Sequence, residues 1–142
     1  MNMKFKKIIL AVLLLSFSAL CAAKSYAVIV NKANAVEKIS TRDLKRIFLG
    51  EKTTWPDNKE NIRVAVFKKG AVHKEFLKDI VKKSPLRFSI HWKRILFTGT
   101  GSAANIFKTD AEVKEFIKAN PTAIGYISAQ SLDDTVKKIG TD

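Results

Sequence analysis

Residues 1–27 constrain this chain most, because they leave the fold a short stretch of sequence without a thiol. Lys4, Lys6 and Lys7 form a basic head, and the 16 uncharged residues of 8–23 follow, rich in Leu, Ile and Ala. Ala22, Ala23, Ser25 and Ala27 then supply small residues. That order of basic, apolar and small-residue segments is the pattern of a secretory signal peptide. The apolar run is shorter than the roughly 20 residues a membrane-spanning helix needs. Ser25-Tyr26-Ala27 predicts cleavage before Val28, with cleavage after Ala23 as the alternative. Bulky Leu20 ahead of Cys21 argues against lipidation there. The expected product is periplasmic, with no transmembrane segment after cleavage.

A 27-residue leader taken from 142 residues leaves 115, enough for one domain with one core over residues 28–142. Cys21, the single cysteine, departs with the leader, so packing alone must hold the domain together. Four of the 26 basic residues (Lys4, Lys6, Lys7, Lys24) and none of the 13 acids leave too, so the net charge falls from +13 to +9. Such a charge suits small anions, or anionic lipid and polysaccharide surfaces. Export sets nucleic acid aside as a partner. Most of the lysines are spread singly, as on a solvated surface.

The pattern alternates strand and helix. Val28-Ile29-Val30 reads as a buried strand ending in the turn formers Asn31 and Asn34. Ser40 is placed to cap a helix, with Asp43 three residues on, and Ile39 and Leu44 can close a staple across the cap. Leu44, Ile47 and Phe48 share a face, and Gly50 follows as the stop. Trp55-Pro56-Asp57-Asn58 predicts a turn, and residues 62–67 a second strand. Val72, Phe76, Leu77, Ile80 and Val81 are spaced for the buried face of a helix. Ser84-Pro85 caps and opens the next, which carries Trp92, Ile95 and Leu96. Thr109 and Glu112 form a capping box for a helix with Val113, Phe116 and Ile117 inward, closed by Asn120-Pro121. Residues 123–127 read as a strand and 136–139 as an edge strand. Strands separated by helices imply an α/β domain with a mixed sheet flanked by helices. The inward faces place Phe48, Trp55, Phe76, Trp92, Phe97 and Tyr126 in one core.

No catalytic constellation stands out, and the expectation is a protein that is not an enzyme. His73 and His91 lie far apart, the acids are scattered, and no metal-ligand spacing occurs. No cofactor or metal is expected. Two loops are better suited to binding. Lys68-Lys69-Gly70-Ala71 joins a strand to a helix start, where free backbone N–H groups and the positive dipole end attract anions. Lys68, Lys69, His73 and Lys74 add charge there. Thr98-Gly99-Thr100-Gly101-Ser102 combines glycines, which admit close approach, with hydroxyls that donate to oxygens. For each loop there is a plainer alternative: a solvated strand-to-helix connection for the first, glycine-driven helix termination for the second.

A family resemblance follows from these segments in order. Ile39-Ser40-Thr41-Arg42-Asp43-Leu44 through Ile47-Phe48-Leu49-Gly50, then Trp55-Pro56-Asp57, resembles part of the phosphate-binding proteins of phosphate ABC transporters. Ala123-Ile124-Gly125-Tyr126 resembles their closing strand. A short, exported subgroup of the periplasmic-binding-protein type 2 superfamily also shares Trp92, Phe97-Thr98-Gly99 and Gly101, with Asp110-Ala111-Glu112-Val113 and Asn120-Pro121. The likeness runs from about Val28 to Ala129. It implies a single small periplasmic-binding-protein-like domain that binds phosphate or another small oxyanion. The implied ligand-binding set is Lys69, Gly70, Ala71, His73, Thr98, Gly99, Thr100, Gly101 and Ser102. One departure is specific: where larger relatives have a Ser-Gly-Thr turn, this chain has Gly70-Ala71-Val72, and both hydroxyls are missing. A protein-interaction or sensor module of the cell envelope that has lost the ligand, partnered by a transporter or sensor protein, is the alternative.

Overall fold

The computed structural model describes residues 23–101 and 103–142. The basic head and most of the apolar run of the expected leader, Cys21 and the candidate site residue Ser102 lie outside the described residues.

The chain forms a five-stranded mixed sheet in the order β4-β3-β5-β1-β6, with a separate two-stranded pair. Strand β1 (Tyr26–Val30) is buried along its whole length. It pairs antiparallel with β5 (Ala123–Ser128) on one side and with β6 (Lys137–Lys138) on the other. An unbroken apolar run is what a strand covered on both faces requires. The sheet starts two residues before the expected domain boundary at Val28: Tyr26 and Ala27 are buried, and Tyr26 lies opposite Ser128. Strand β3 (Arg63–Phe67) runs parallel to both β5 and β4 (Asn105–Phe107). β4 has no counterpart in the sequence reading, since three residues beyond a glycine-rich loop carry too little periodicity to register. The small pair joins β2 (Lys38–Ile39) to β7 (Gly140–Thr141) in parallel.

Helix α1 (Thr41–Phe48) begins at the expected cap, where Ser40 Oγ accepts from the Asp43 N–H at 3.1 Å. Gly50 beyond its end has φ 74°, a conformation glycine adopts without penalty. Helix α2 (Ala71–Phe76) continues into a π-helical turn over Leu77–Val81, ended by Lys82 at φ 60°. The wider turn buries Leu77, Ile80 and Val81 together. Helix α3 (Pro85–Thr98) is capped by Ser84, and α4 (Asp110–Ala119) carries the full Thr109–Glu112 capping box. Alternation along β5 sends Tyr126 toward α2 and Gly125 toward α4, so helices cover both faces of the sheet. A Cβ on Gly125 would stand 3.1 Å from Ala65 Cβ and 3.2 Å from Val113 Cγ1, which explains a glycine where α4 rests on the sheet. Asn31 ends β1 by donating from Nδ2 to the carbonyls of Ile117 and Lys118 at 2.8 and 3.0 Å, closing the last turn of α4.

One expected core residue is not in the core. Phe97 is 89% exposed and Leu96 59%, whereas Phe88, Trp92 and Ile95 pack inward. With 3.6 residues per turn, Phe97 lies nearly opposite Ile95 on the helix. The other five expected aromatics, Phe48, Trp55, Phe76, Trp92 and Tyr126, are buried. Trp92 also donates its indole N–H to the Phe48 carbonyl at 3.1 Å, tying α3 to α1.

The contrast between two aromatics on one helix is measurable. Trp92→Ala should cost about 3–5 kcal/mol in denaturant melts, through the cavity and the lost hydrogen bond. Phe97→Ala should stay within about 0.5 kcal/mol of wild type.

Candidate functional site

The parallel strands β3 and β4 end side by side. Beyond their last pair, Phe67 with Phe107, the Lys68 N–H donates to the Phe107 carbonyl at 2.9 Å. Helix α2 starts four residues after the end of β3 and α4 three residues after the end of β4, so both N-termini meet the carboxyl edge of the sheet. Ligands of open α/β sheets collect at this edge.

The two helix starts differ. At α4 the Thr109 hydroxyl accepts from the Glu112 N–H and the Glu112 carboxylate accepts from the Thr109 N–H, while the Asp110 carboxylate accepts from the Ser128 N–H and from the Ser131 hydroxyl. Ser40 and Ser84 cap α1 and α3 in the same way. Helix α2 alone among the described α-helices begins without a side-chain cap and without an acid in its first turn. Its first residue follows Gly70 at φ 120°, and a Cβ there would meet nothing within 4 Å. Among the described residues no side chain caps the first N–H groups of this helix, which as first-turn donors have no internal acceptor. Lys68, Lys69 and Lys74 are exposed around them and make no ion pair among the described residues. Lys108, just past β4, adds another exposed cation. It was not legible in sequence, because the β3–β4 pairing that brings it beside Lys68 was not.

His73 does not join this cluster. It is 3% exposed, and its Nδ1 lies 2.5 Å from the Tyr126 hydroxyl, which accepts from the Phe67 N–H at 3.3 Å. The Tyr126 hydroxyl thus bridges the His73 ring and the Phe67 backbone. Burial pushes the His73 pKa down and the Tyr126 pKa up, so both stay uncharged. The reason is positional: His73 stands three residues before Phe76, on the face of α2 that packs against the sheet. It positions α2 and does not reach an anion.

The second loop stands apart. Thr98 Oγ1 donates to the Arg94 carbonyl at 2.9 Å and lies 2.8 Å from Thr100 Oγ1, while Gly99 ends α3 at φ 64°. Helix α3 meets α2 near its start, where the His73 and Phe88 rings are 5.9 Å apart. Thr98 comes ten residues later, about 15 Å of helix further on. Among the described residues no hydrogen bond joins Thr98, Gly99, Thr100 or Gly101 to the Lys69-Gly70-Ala71 loop. Their visible work is helix termination.

A cleft of about 650 Å³ lies elsewhere, lined by Val36, Ile39, Ile47 and Trp55. Its charged rim holds the carboxylates of Glu37, Asp43, Asp57 and Glu60 against Lys38 and Lys52, the wrong sign for an anion. Among the described residues no cluster of His, Cys, Asp and Glu could hold a metal, and no described helix is long and apolar enough to cross a membrane.

Residues 19–141 match the PBP superfamily domain. The chain belongs to that superfamily. Its fold is similar to an ABC-type phosphate transport receptor from Vibrio cholerae, at 24% identity and TM-score 0.56, covering 82% of this chain and 46% of the receptor. A protein from Clostridium perfringens described as a phosphate ABC transporter substrate-binding protein, with bound phosphate, aligns at 24% identity and TM-score 0.66 over 83% of this chain and 45% of that one. PstS from Borrelia burgdorferi aligns at 16% identity and TM-score 0.62, over 83% and 47%. This PBP-superfamily domain thus spans less than half the length of those proteins. No curated protein sequence matches it.

The buried histidine makes stability depend on pH. A depressed folded-state pKa means that the unfolded chain takes up the proton first, so His73 contributes fully above the unfolded value of about 6.5 and that contribution is lost as pH falls below it. The added slope should approach about 1.4 kcal/mol per pH unit between the folded and unfolded pKa values. His73→Gln should be less stable at neutral pH and lack this slope, as urea melts from mildly alkaline to mildly acidic pH would show.

Proposed function

We propose that this domain is an exported, non-enzymatic binder of phosphate or a related small oxyanion, and that its site is the uncapped start of α2. The observation that carries the reading is the open N-terminus at Gly70, flanked by Lys68, Lys69, Lys74 and Lys108. The N–H groups of Ala71 and Val72 donate to the anion, in charge-assisted hydrogen bonds about twice as strong as neutral ones. Gly70 keeps the approach clear, and the lysines draw the anion in. The structural likeness to a protein with bound phosphate supports this choice of ligand. With no hydroxyl in Gly70-Ala71-Val72 and one side of the anion in water, affinity is modest and salt-sensitive.

Calorimetry with phosphate and sulfate tests the reading. Wild type should bind in the millimolar range, and Lys68→Ala with Lys69→Ala should weaken binding roughly 2- to 30-fold. Ala71→Pro is the sharper variant, since proline suits the first helical position but removes one donor. It should lose affinity while melting like wild type. Absence of millimolar binding in wild type would instead support the second reading, a protein-interaction or sensor module of the envelope. The missing hydroxyl pair at Gly70-Ala71-Val72 favours that alternative.

Export rests on the pattern of residues 1–27. Of the two expected cleavage points, we propose the one after Ala23 over the one before Val28: removal of Tyr26 and Ala27 would take two buried residues from β1 and the Tyr26–Asp79 hydrogen bond of 3.2 Å. The intact mass of the exported protein should correspond to a chain starting at Lys24. A start at Val28 would show that β1 tolerates the shorter form.

A further inference from the structure

Helix α3 has two apolar faces. Phe88, Trp92 and Ile95 pack against the core within one sector of the helix. Leu86, Ile90 and Phe97 fall within a second sector of about 40° on the opposite side, at 100° per residue. They are 70%, 47% and 89% exposed, and Leu96, 59% exposed, lies beyond Lys93 toward the core-facing sector. A single exposed apolar side chain is ordinary. Several aligned along one helix, ending in an almost bare phenylalanine, mark a surface that another phase or molecule covers.

The charges around the strip are of one sign. Helix α3 contains no Asp or Glu, and the exposed Arg87, Lys93 and Arg94 flank the strip. Lys82 and Lys83 lie just ahead of its cap. None of the five makes an ion pair among the described residues. Apolar side chains with basic residues on both flanks are the signature of a helix that lies in the plane of a membrane surface. Lys93 borders the strip on the side opposite Arg87 and Arg94, and its long stem can run along apolar surface while its ammonium reaches a phosphate headgroup.

We propose that α3 docks this domain on a bilayer surface rich in anionic lipid, with Leu86, Ile90 and Phe97 entering the headgroup boundary. Arg87, Lys93 and Arg94 then pair with lipid phosphates. The docking face is separate from the α2 start, and neither depends on the other.

The test is flotation of residues 24–142, which contain every described strand and helix, with vesicles of phosphatidylcholine alone or mixed with phosphatidylglycerol. Wild type should float with the mixed vesicles and not with phosphatidylcholine alone, and salt should weaken the association. Ile90→Ser with Phe97→Ser should reduce partitioning by about tenfold or more while melting like wild type. Lys93→Glu with Arg94→Glu should abolish it. Failure of wild type to float with anionic vesicles, or equal flotation of the serine variant, overturns the proposal. If wild type ignores vesicles yet sediments as a dimer that the serine variant dissociates, the strip joins two copies of the chain and the membrane reading is wrong.

Discussion

The stack of Phe76 on Tyr126 is the contact on which one whole side of this domain depends. The two rings lie 3.9 Å apart between centroids and are nearly parallel at 9°. Phe48 of α1 meets both, at 4.8 and 5.7 Å, while Phe67 of β3 meets Tyr126 at 5.5 Å and Tyr26 of β1 meets Phe76 at 5.4 Å. Three strands and two helices thus converge on two rings. Each aromatic pair adds about 0.5–1.5 kcal/mol beyond its buried area. The Tyr126 hydroxyl would be expensive to bury alone, and the Phe67 N–H and His73 satisfy it. Burial, shape and hydrogen bonding agree at this one position.

That cluster also determines what the protein can offer a ligand. By holding α2 through Phe76 and His73, it leaves the start of the helix at the carboxyl edge of β3 with no cap of its own. Free donors at a helix start weaken the helix, since a good cap is worth about 1 kcal/mol. Here tertiary packing holds the helix instead, and the π-helical turn that follows buries three more apolar side chains. Local instability at a point held by the core is the usual setting of a binding site.

Charge is distributed with the same economy. Among the described residues the basic side chains around α2 and along α3 make no ion pair, whereas the pairs of Lys52 with Asp43, Lys114 with Asp133 and Lys137 with Glu37 lie on other parts of the surface. Such exposed pairs contribute little to stability. The uncompensated cations leave two stretches of the surface with a net positive charge.

Local signals were legible in the sequence because they are complete within a few residues. The caps at Ser40, Ser84 and Thr109, the stops at Gly50 and Gly99, and the buried run at Val28-Ile29-Val30 all follow from short-range geometry. The family resemblance follows from the order of such segments. The connection at Lys69-Gly70-Ala71, between a strand and a helix start, was legible for the same reason. The role of His73, the exposure of Phe97, the strand β4 and the position of Lys108 required the tertiary structure. Each depends on which face of an element meets which neighbour, and a histidine or phenylalanine carries no mark of that in its own segment. Pairing between β3 and β4 spans about 40 residues, and nothing local encodes it. The sequence by itself determined where helices start and stop and that the domain is basic and α/β; only the packed sheet decided which helix start remains open and which apolar face remains in water.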